Sequence, residues 1–175
     1  MRTLLALVTV SLLAMPAAAL ERDGDGFFHT GDGVRVKKIA FIHVKVYAID
    51  HFMKDLPAQK SKQAVIDADV DKRFAWRMLR TVEAEKIRNA LREAFAKNGY
   101  ADGAKIDPFV GAIAAELKEG ATVTIRYDAA NKATTIVSPA GTATVRGEEF
   151  MKATWSIWFG KIDQPALGDS LIDRF

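Results

Sequence analysis

The sequence predicts an α+β fold, a large antiparallel sheet with helices packed on one face. Three observations carry that expectation. A long stretch near the start alternates with the period of a strand. Between Thr81 and Gly120 the apolar residues switch to helical spacing. Three short alternating segments then follow in succession, before an apolar helix closes the domain.

The first stretch, Gly31 to Met53, is the longest of its kind in the chain. Val34, Val36, Ala40, Ile42, Val44, Val46 and Ala48 share one parity, broken by Lys38. Arg35, Lys37, Ile39, Phe41, His43, Lys45, Tyr47 and Ile49 share the other. Successive strand residues point to opposite faces, which makes one face apolar and the other mixed. A guanidinium and a phenol on a half-buried face can fix an anionic or carbonyl-bearing ligand. They can equally mark a solvated edge with a snorkelling arginine.

Ahead of it, Asp23-Gly24-Asp25-Gly26 hints at a calcium loop, but Phe27, Phe28 and His29 follow where further ligands would be needed. The pattern fits a flexible segment, a short strand over 27–30, and a tight turn at Gly31 and Gly33. Beyond it, 51–62 reads as a polar loop with Pro57, and Ala64, Ile66 and Ala68 suggest a strand. Phe74, Trp76 and Met78 alternate as another strand. Ala84, Ile87, Leu91, Ala94 and Phe95 form one face of a helix stopped by Asn98-Gly99. A second helix is expected from Asp107 as cap and Pro108 as first residue, to Gly120. Strands over 122–127, 134–137 and 142–146 make a meander. Glu148 to Phe159 is helical and apolar nearly all round, so it should be buried on several sides. A short helix over 165–174 ends the chain.

Composition sets the class and the address. Arg2, the apolar run Leu4 to Leu13 and Ala17-Ala18-Ala19 have the layout of a cleaved export signal over 1–19. The expected product is periplasmic or secreted, with no integral membrane span after cleavage; an uncleaved anchor is the other reading. Taking nineteen from 175 leaves 156 residues, enough for one domain with one substantial core. The expected organisation is a signal peptide at 1–19, an N-terminal segment with a short strand at 20–33, and the main domain at 34–175. The formal net charge of +3 and scattered basic residues lack the pattern of a nucleic-acid module. Zero cysteines exclude disulfides and thiol chemistry.

Motifs for catalysis are absent. There is no G-x-S-x-G elbow and no phosphate-binding glycine loop. His43 and His51 lie eight residues apart, roughly 26 Å along a straight strand, so no metal site is expected. No cofactor and no catalytic residue are nominated. Phe74, Trp76, Phe95, Phe150, Trp155 and Trp158 line either an apolar cavity or an ordinary core.

Gly33-Val34-Arg35, then Val46-Tyr47-Ala48, Gly147-Glu148-Glu149-Phe150, Ile157-Trp158-Phe159-Gly160 and a closing leucine-bearing helix follow one another in order. Together they resemble the chalcone isomerase-like family, and in particular its short exported bacterial members. The resemblance implies an open-faced β-sandwich, a large antiparallel sheet covered by a helical layer, with a ligand cleft between. Catalytic members carry an arginine in the first motif and a threonine twelve residues on. Fatty-acid-binding members place a tyrosine there, and arginine and tyrosine hold the lipid carboxylate. Arg35 and Tyr47 match the binding version. The catalytic members' tyrosine has no counterpart in Thr81-Val82-Glu83-Ala84, and Lys152 stands where they use a late hydroxyl. His51-Phe52-Met53 also departs from the Leu-Tyr-Leu usual in relatives.

What the resemblance implies is an exported protein that binds a fatty acid or similar amphiphile through Arg35 and Tyr47 without catalysis. An intramolecular lyase of the chalcone isomerase type is the alternative, and an interaction domain without a ligand the third reading. The implied site makes a demand on the long stretch. Twelve residues of straight strand would hold Arg35 and Tyr47 roughly 40 Å apart. A shared site therefore requires a hairpin folded near Phe41, although Lys37 to His43 contains no Gly, Pro, Asn or Asp.

Overall fold

The computed structural model describes residues 20–175; the expected export signal at 1–19 lies outside them. Strands β1 (Phe28–Ile39), β2 (Ile42–Met53), β3 (Lys72–Met78), β4 (Thr122–Asp128), β5 (Ala133–Ser138) and β6 (Gly141–Arg146) form one sheet in chain order. Every pairing is antiparallel. Helices α1 (Lys62–Asp67), α2 (Ala84–Lys97), α3 (Gly103–Gly111), α4 (Glu148–Phe159) and α5 (Pro165–Ser170) complete the chain. The order is that of an open sheet with a helical layer, as the alternation of periods predicts.

The long stretch is a hairpin. Ile39 pairs with Ile42 around a two-residue turn at Ala40 and Phe41. Ala40 takes φ 53°, the left-handed conformation that hairpins usually assign to Gly or Asn. An L-residue held there costs on the order of 1 kcal/mol, which eleven cross-strand pairings between β1 and β2 offset.

The covered face is the mixed one. Ile49, His51 and Met53 are buried, while Val46 and Ala48 on the more uniformly apolar parity remain partly exposed. β3 and β4 continue the same inner face with Phe74, Trp76, Met78, Val123, Ile125 and Tyr127. Against it lies α4, whose Phe150, Met151, Trp155, Ile157, Trp158 and Phe159 are all buried, as its nearly continuous apolar surface requires. Phe74 sits 4.5 Å from Trp158 and 5.0 Å from Trp155, centroid to centroid, so these rings are packed core.

His51 enters that core as a neutral imidazole. Trp155 Nε1 donates to His51 Nε2 at 2.9 Å, which leaves the ring proton on Nδ1, 2.6 Å from Thr30 Oγ1. Thr30 Oγ1 in turn lies 3.0 Å from the Leu171 carbonyl. One histidine thus ties β1, β2, α4 and the end of α5 together. Burial holds its pKa well below the ordinary value, with Lys72 and His29 adding repulsion.

Several expectations are corrected. β1 runs unbroken through Gly31 and Gly33, so there is no turn there and the boundary at 33/34 falls inside a strand. The glycines serve close approach instead. A Cβ on Gly31 would lie 2.5 Å from the Leu171 carbonyl carbon and against the Ser170 oxygen, and one on Gly33 2.6 Å from Leu167 Cδ1. The segment before β1 is tethered: Asp23 Oδ1 accepts from Phe27 N at 2.9 Å, and Arg73 bonds Asp23 and Asp25. His51 to Met53 belong to β2, not to a loop.

Residues 62–67 are helical rather than extended, with Ser61 Oγ capping Ala64 N at 3.1 Å. The buried Lys72 completes that helix from below. Its Nζ donates to the carbonyls of Val65, Ile66 and Ala68 at 2.7–3.2 Å. Burial draws its pKa down to about 7, with Asp69 and Asp67 pulling the other way. α3 begins at Gly103, five residues before Pro108, which lies inside it; Ile113 and Leu117 are buried beyond its end. The Asp102 carbonyl accepts from Lys105 N and Ile106 N, and this starts the helix upstream of the proline.

Candidate functional site

The hairpin places Arg35 directly opposite Tyr47 in the β1–β2 ladder. The 40 Å separation of a straight strand is thereby removed, and both side chains rise on the same face. A register shift between Arg35 and Val36 marks a bulge, the device by which strands re-aim a side chain.

The bulge is held by a residue that local sequence reading passes over. Gln164, in the segment between α4 and α5, accepts from Val36 N at 2.9 Å and donates to Val34 O at 2.9 Å. Its Oε1 also accepts from Arg35 Nη1 at 3.2 Å. Next to it, Asp163 Oδ1 bonds Arg35 Nη2 at 2.5 Å. Burial alone would raise the Asp163 carboxyl, but the Arg35 charge and hydrogen bond hold it below its usual value. The guanidinium is thus already engaged with one carboxylate. These bonds and one from Nη1 to the Val36 carbonyl use Nη1 and Nη2, and a five-donor group retains further N–H capacity.

Tyr47 is satisfied in one direction only. Trp158 Nε1 donates to its hydroxyl at 3.1 Å, and among the described residues no acceptor takes the phenol's own proton. Burial raises the phenol's pKa, opposed by the Trp158 bond and the Arg35 charge, so it stays protonated and able to donate. The ring stacks on Trp76 at 5.0 Å and 12°. Trp76 Nε1 is itself buried without a partner. Arg35 and Tyr47 thus retain unspent N–H and O–H donors, with Trp76 stacked on the Tyr47 ring, a combination suited to an oxyanion or carbonyl.

The other candidates lie apart from this group. Lys152 pairs with Glu148 at 3.0 Å and lies 3.8 Å from Asp67, in a separate surface cluster. In the Thr81–Ala84 segment, Val82 bridges Leu117 and Glu83 pairs with Lys86. His29, Asp32 and Asp50 bring ligand-type atoms within 4.8 Å of one another. Arg174 holds Asp32 at 2.5 Å, however, and its fixed positive charge disfavours a second cation there. His43 is exposed near the hairpin turn, and His51 is buried in the core network.

Asp163 and Gln164 are not expected from the sequence, and Trp158 and Trp76 are expected there only as cavity-lining or core aromatics, not as partners of Tyr47. Trp158 does fall in a family motif, and the alternation of β3 carries Trp76. Asp163 and Gln164 leave no local trace, because 128–130 residues separate them from the strand they hold.

The sequence profile described as chalcone isomerase-like matches residues 15–169. The chain belongs to the chalcone isomerase-like family. No curated protein sequence matches it. Among solved structures, the crystal structure of a fatty-acid binding protein from Arabidopsis thaliana superposes with a TM-score of 0.70 at 14% identity. The match covers 87% of this chain and 89% of that one. At this identity the likeness establishes the shared fold.

Proposed function

We propose that this protein binds the carboxylate of a fatty acid or similar amphiphile, with Arg35 and Tyr47 on the head group, and that it does so without catalysis. The observation that carries the proposal is the cross-strand pairing of Arg35 with Tyr47, in which the guanidinium already holds a carboxylate, that of Asp163. Asp163 stands in for the ligand and competes with it. The incoming carboxylate displaces it or shares the remaining donors, while the Tyr47 hydroxyl supplies a further bond. The fatty-acid binding protein of the same fold supports this assignment, and the missing tyrosine at 81–84 speaks against isomerase chemistry. Export through the N-terminal apolar segment belongs to the same proposal.

Hexadecanoic acid titrated into the purified protein, read by calorimetry and native mass spectrometry, tests it. Wild type should bind one equivalent. Arg35→Ala should lose about 2 kcal/mol, roughly thirtyfold in affinity. Tyr47→Phe should lose about 1 kcal/mol. Asp163→Asn removes the internal competitor and should raise affinity, by up to about fivefold. Turnover of a chalcone by wild type, with no fatty acid bound, would sink the reading.

A further inference from the structure

The outer half of the β1–β2 hairpin has no role in the site just described. β3 accompanies β2 only as far as Tyr47↔Met78, with a last bond from Leu79 N to Val46 O. From Val46 to Ile42 the two strands therefore run on without a third, a reach of roughly 14 Å. At the end of this arm Phe41 is 96% exposed and Ile42 67% exposed. Among the described residues these are the two most exposed of the large hydrophobic side chains.

The arm's charge has one sign. Lys37, Lys38, His43 and Lys45 are all exposed, and residues 35–45 include no Asp or Glu. Asp163 lies at the arm's base, but it is paired with Arg35. Among the described residues no ion pair engages Lys37, Lys38 or Lys45 within 4.0 Å. The turn chemistry points the same way. Ala40 holds a positive φ and Phe41 stands beside it in open solvent, where Asn-Gly would make a better turn and a soluble tip.

We propose that this arm docks on an anionic lipid bilayer, with Phe41 and Ile42 inserted below the head groups and Lys37, Lys38 and Lys45 on lipid phosphates. The dimensions fit. Interfacial anchors sink roughly 5–10 Å, so the arm can bury its tip while the six-stranded sheet stays outside. An aromatic and a branched aliphatic residue ringed by lysines are complementary to such a surface in both polarity and charge. An open recess of about 510 Å³, lined by Val36, Lys38, His43, Asp163 and Gln164, lies at the arm's base. Docking therefore brings Asp163 and Gln164, which hold Arg35, towards the membrane. The proposal does not depend on what Arg35 and Tyr47 bind.

The test is co-sedimentation of the full chain with vesicles of phosphatidylglycerol and phosphatidylethanolamine in equal parts, against phosphatidylcholine alone. Wild type should sediment with the anionic vesicles at low salt and be released by high salt. Replacing Lys37, Lys38 and Lys45 together by Gln should weaken this on the order of a hundredfold. Replacing Phe41 and Ile42 together by Ser should weaken it about tenfold or more. All these side chains lie outside the core, so both variants should keep the wild-type circular dichroism. Because the chain has no cysteine, Ile42→Cys can carry an environment-sensitive fluorophore. Its emission should shift to the blue on anionic vesicles, while the same label at Ala130→Cys, in the turn at the opposite end of the sheet, should not respond. Wild-type binding in both arm variants, or a silent label at position 42, would overturn the proposal. So would a wild-type dimer that the arm variants dissociate, since the arm would then be a contact between copies.

Discussion

The two halves of the β1–β2 hairpin are one continuous antiparallel ribbon in two different surroundings. The inner half, Phe28 to Arg35 against Tyr47 to Met53, is flanked by β3 and roofed by α4 and α5. There Ile49, His51 and Met53 are fully buried. The outer half is paired in the same antiparallel ladder and mixes Val and Ile with Lys, yet its apolar tip stands in solvent. Strand pairing alone thus confers neither burial nor much stability. What distinguishes the halves is the third strand and the helical roof, since two isolated strands are marginal in water. Arg35 and Tyr47 sit at the junction, with the packed core on one side and the free arm on the other.

The sharpest contrast should come from removing the roof of the inner half. Trp155→Ala deletes a fully buried indole and leaves His51 Nε2 without its donor. It should cost about 3–5 kcal/mol in urea unfolding. Phe41→Ala, at the tip, should stay within about 0.5 kcal/mol of wild type; a comparable loss there would erase the distinction between the halves. Gly31→Ala tests the seam between ribbon and α5. Its Cβ meets backbone atoms of Ser170 and Leu171, which cannot rotate away, so a loss of about 2–3 kcal/mol is expected.

The His51 network makes a pH prediction confined to the inner half. The folded-state pKa of His51 is depressed, so between the unfolded value of about 6.5 and the lower folded value the unfolded chain binds more protons. The His51 contribution to stability should therefore be complete above about pH 6.5 and fall as the pH drops below it, by at most about 1.4 kcal/mol per pH unit. Unfolding at pH 7, 6 and 5 should show the loss, and His51→Gln should flatten it. The smallest effect belongs to the turn. Ala40→Gly relieves the positive φ and should stabilise the arm by about 0.5–1 kcal/mol. Slower amide exchange over 37–45, with global unfolding unchanged, would show that the arm opens independently of the core.

How legible each element was follows from the kind of signal it left. α4 is plain in the sequence because its apolar surface is nearly continuous and glycines flank both ends. β3 and β4 announce themselves by alternation, and β4, β5 and β6 by the turn residues between them. α3 misleads because Pro108 is the usual first residue of a helix and here lies within one begun by the Asp102 carbonyl. α1 is ambiguous as a short apolar run. It is settled by Ser61 and by the Lys72 ammonium, which gathers three carbonyls only if the chain is coiled. Within the candidate site, Arg35 and Tyr47 could be named from the family motifs. Their partners Asp163 and Gln164 could not, because a side chain that satisfies a bulge across some 130 residues has no periodicity and no fixed spacing.

By itself, then, the sequence determined the class of fold, most of the order of its strands and helices but not the helix α1, the depth at which α4 is buried, and the pair of polar residues carried by the first ribbon. These are properties of local periodicity and motif order, which the chain carries before it folds. The turn near Phe41 followed from the family resemblance and not from any local turn residue, and only the tertiary structure decided which face of the ribbon goes inward. A period of two establishes that a strand has two faces, but the helices choose between them. They cover the mixed face where its polar groups find partners, His51 with Trp155 and Thr30, Tyr47 with Trp158, Arg35 with Asp163 and Gln164, and leave Lys37 and Lys45 of the same parity on the open arm.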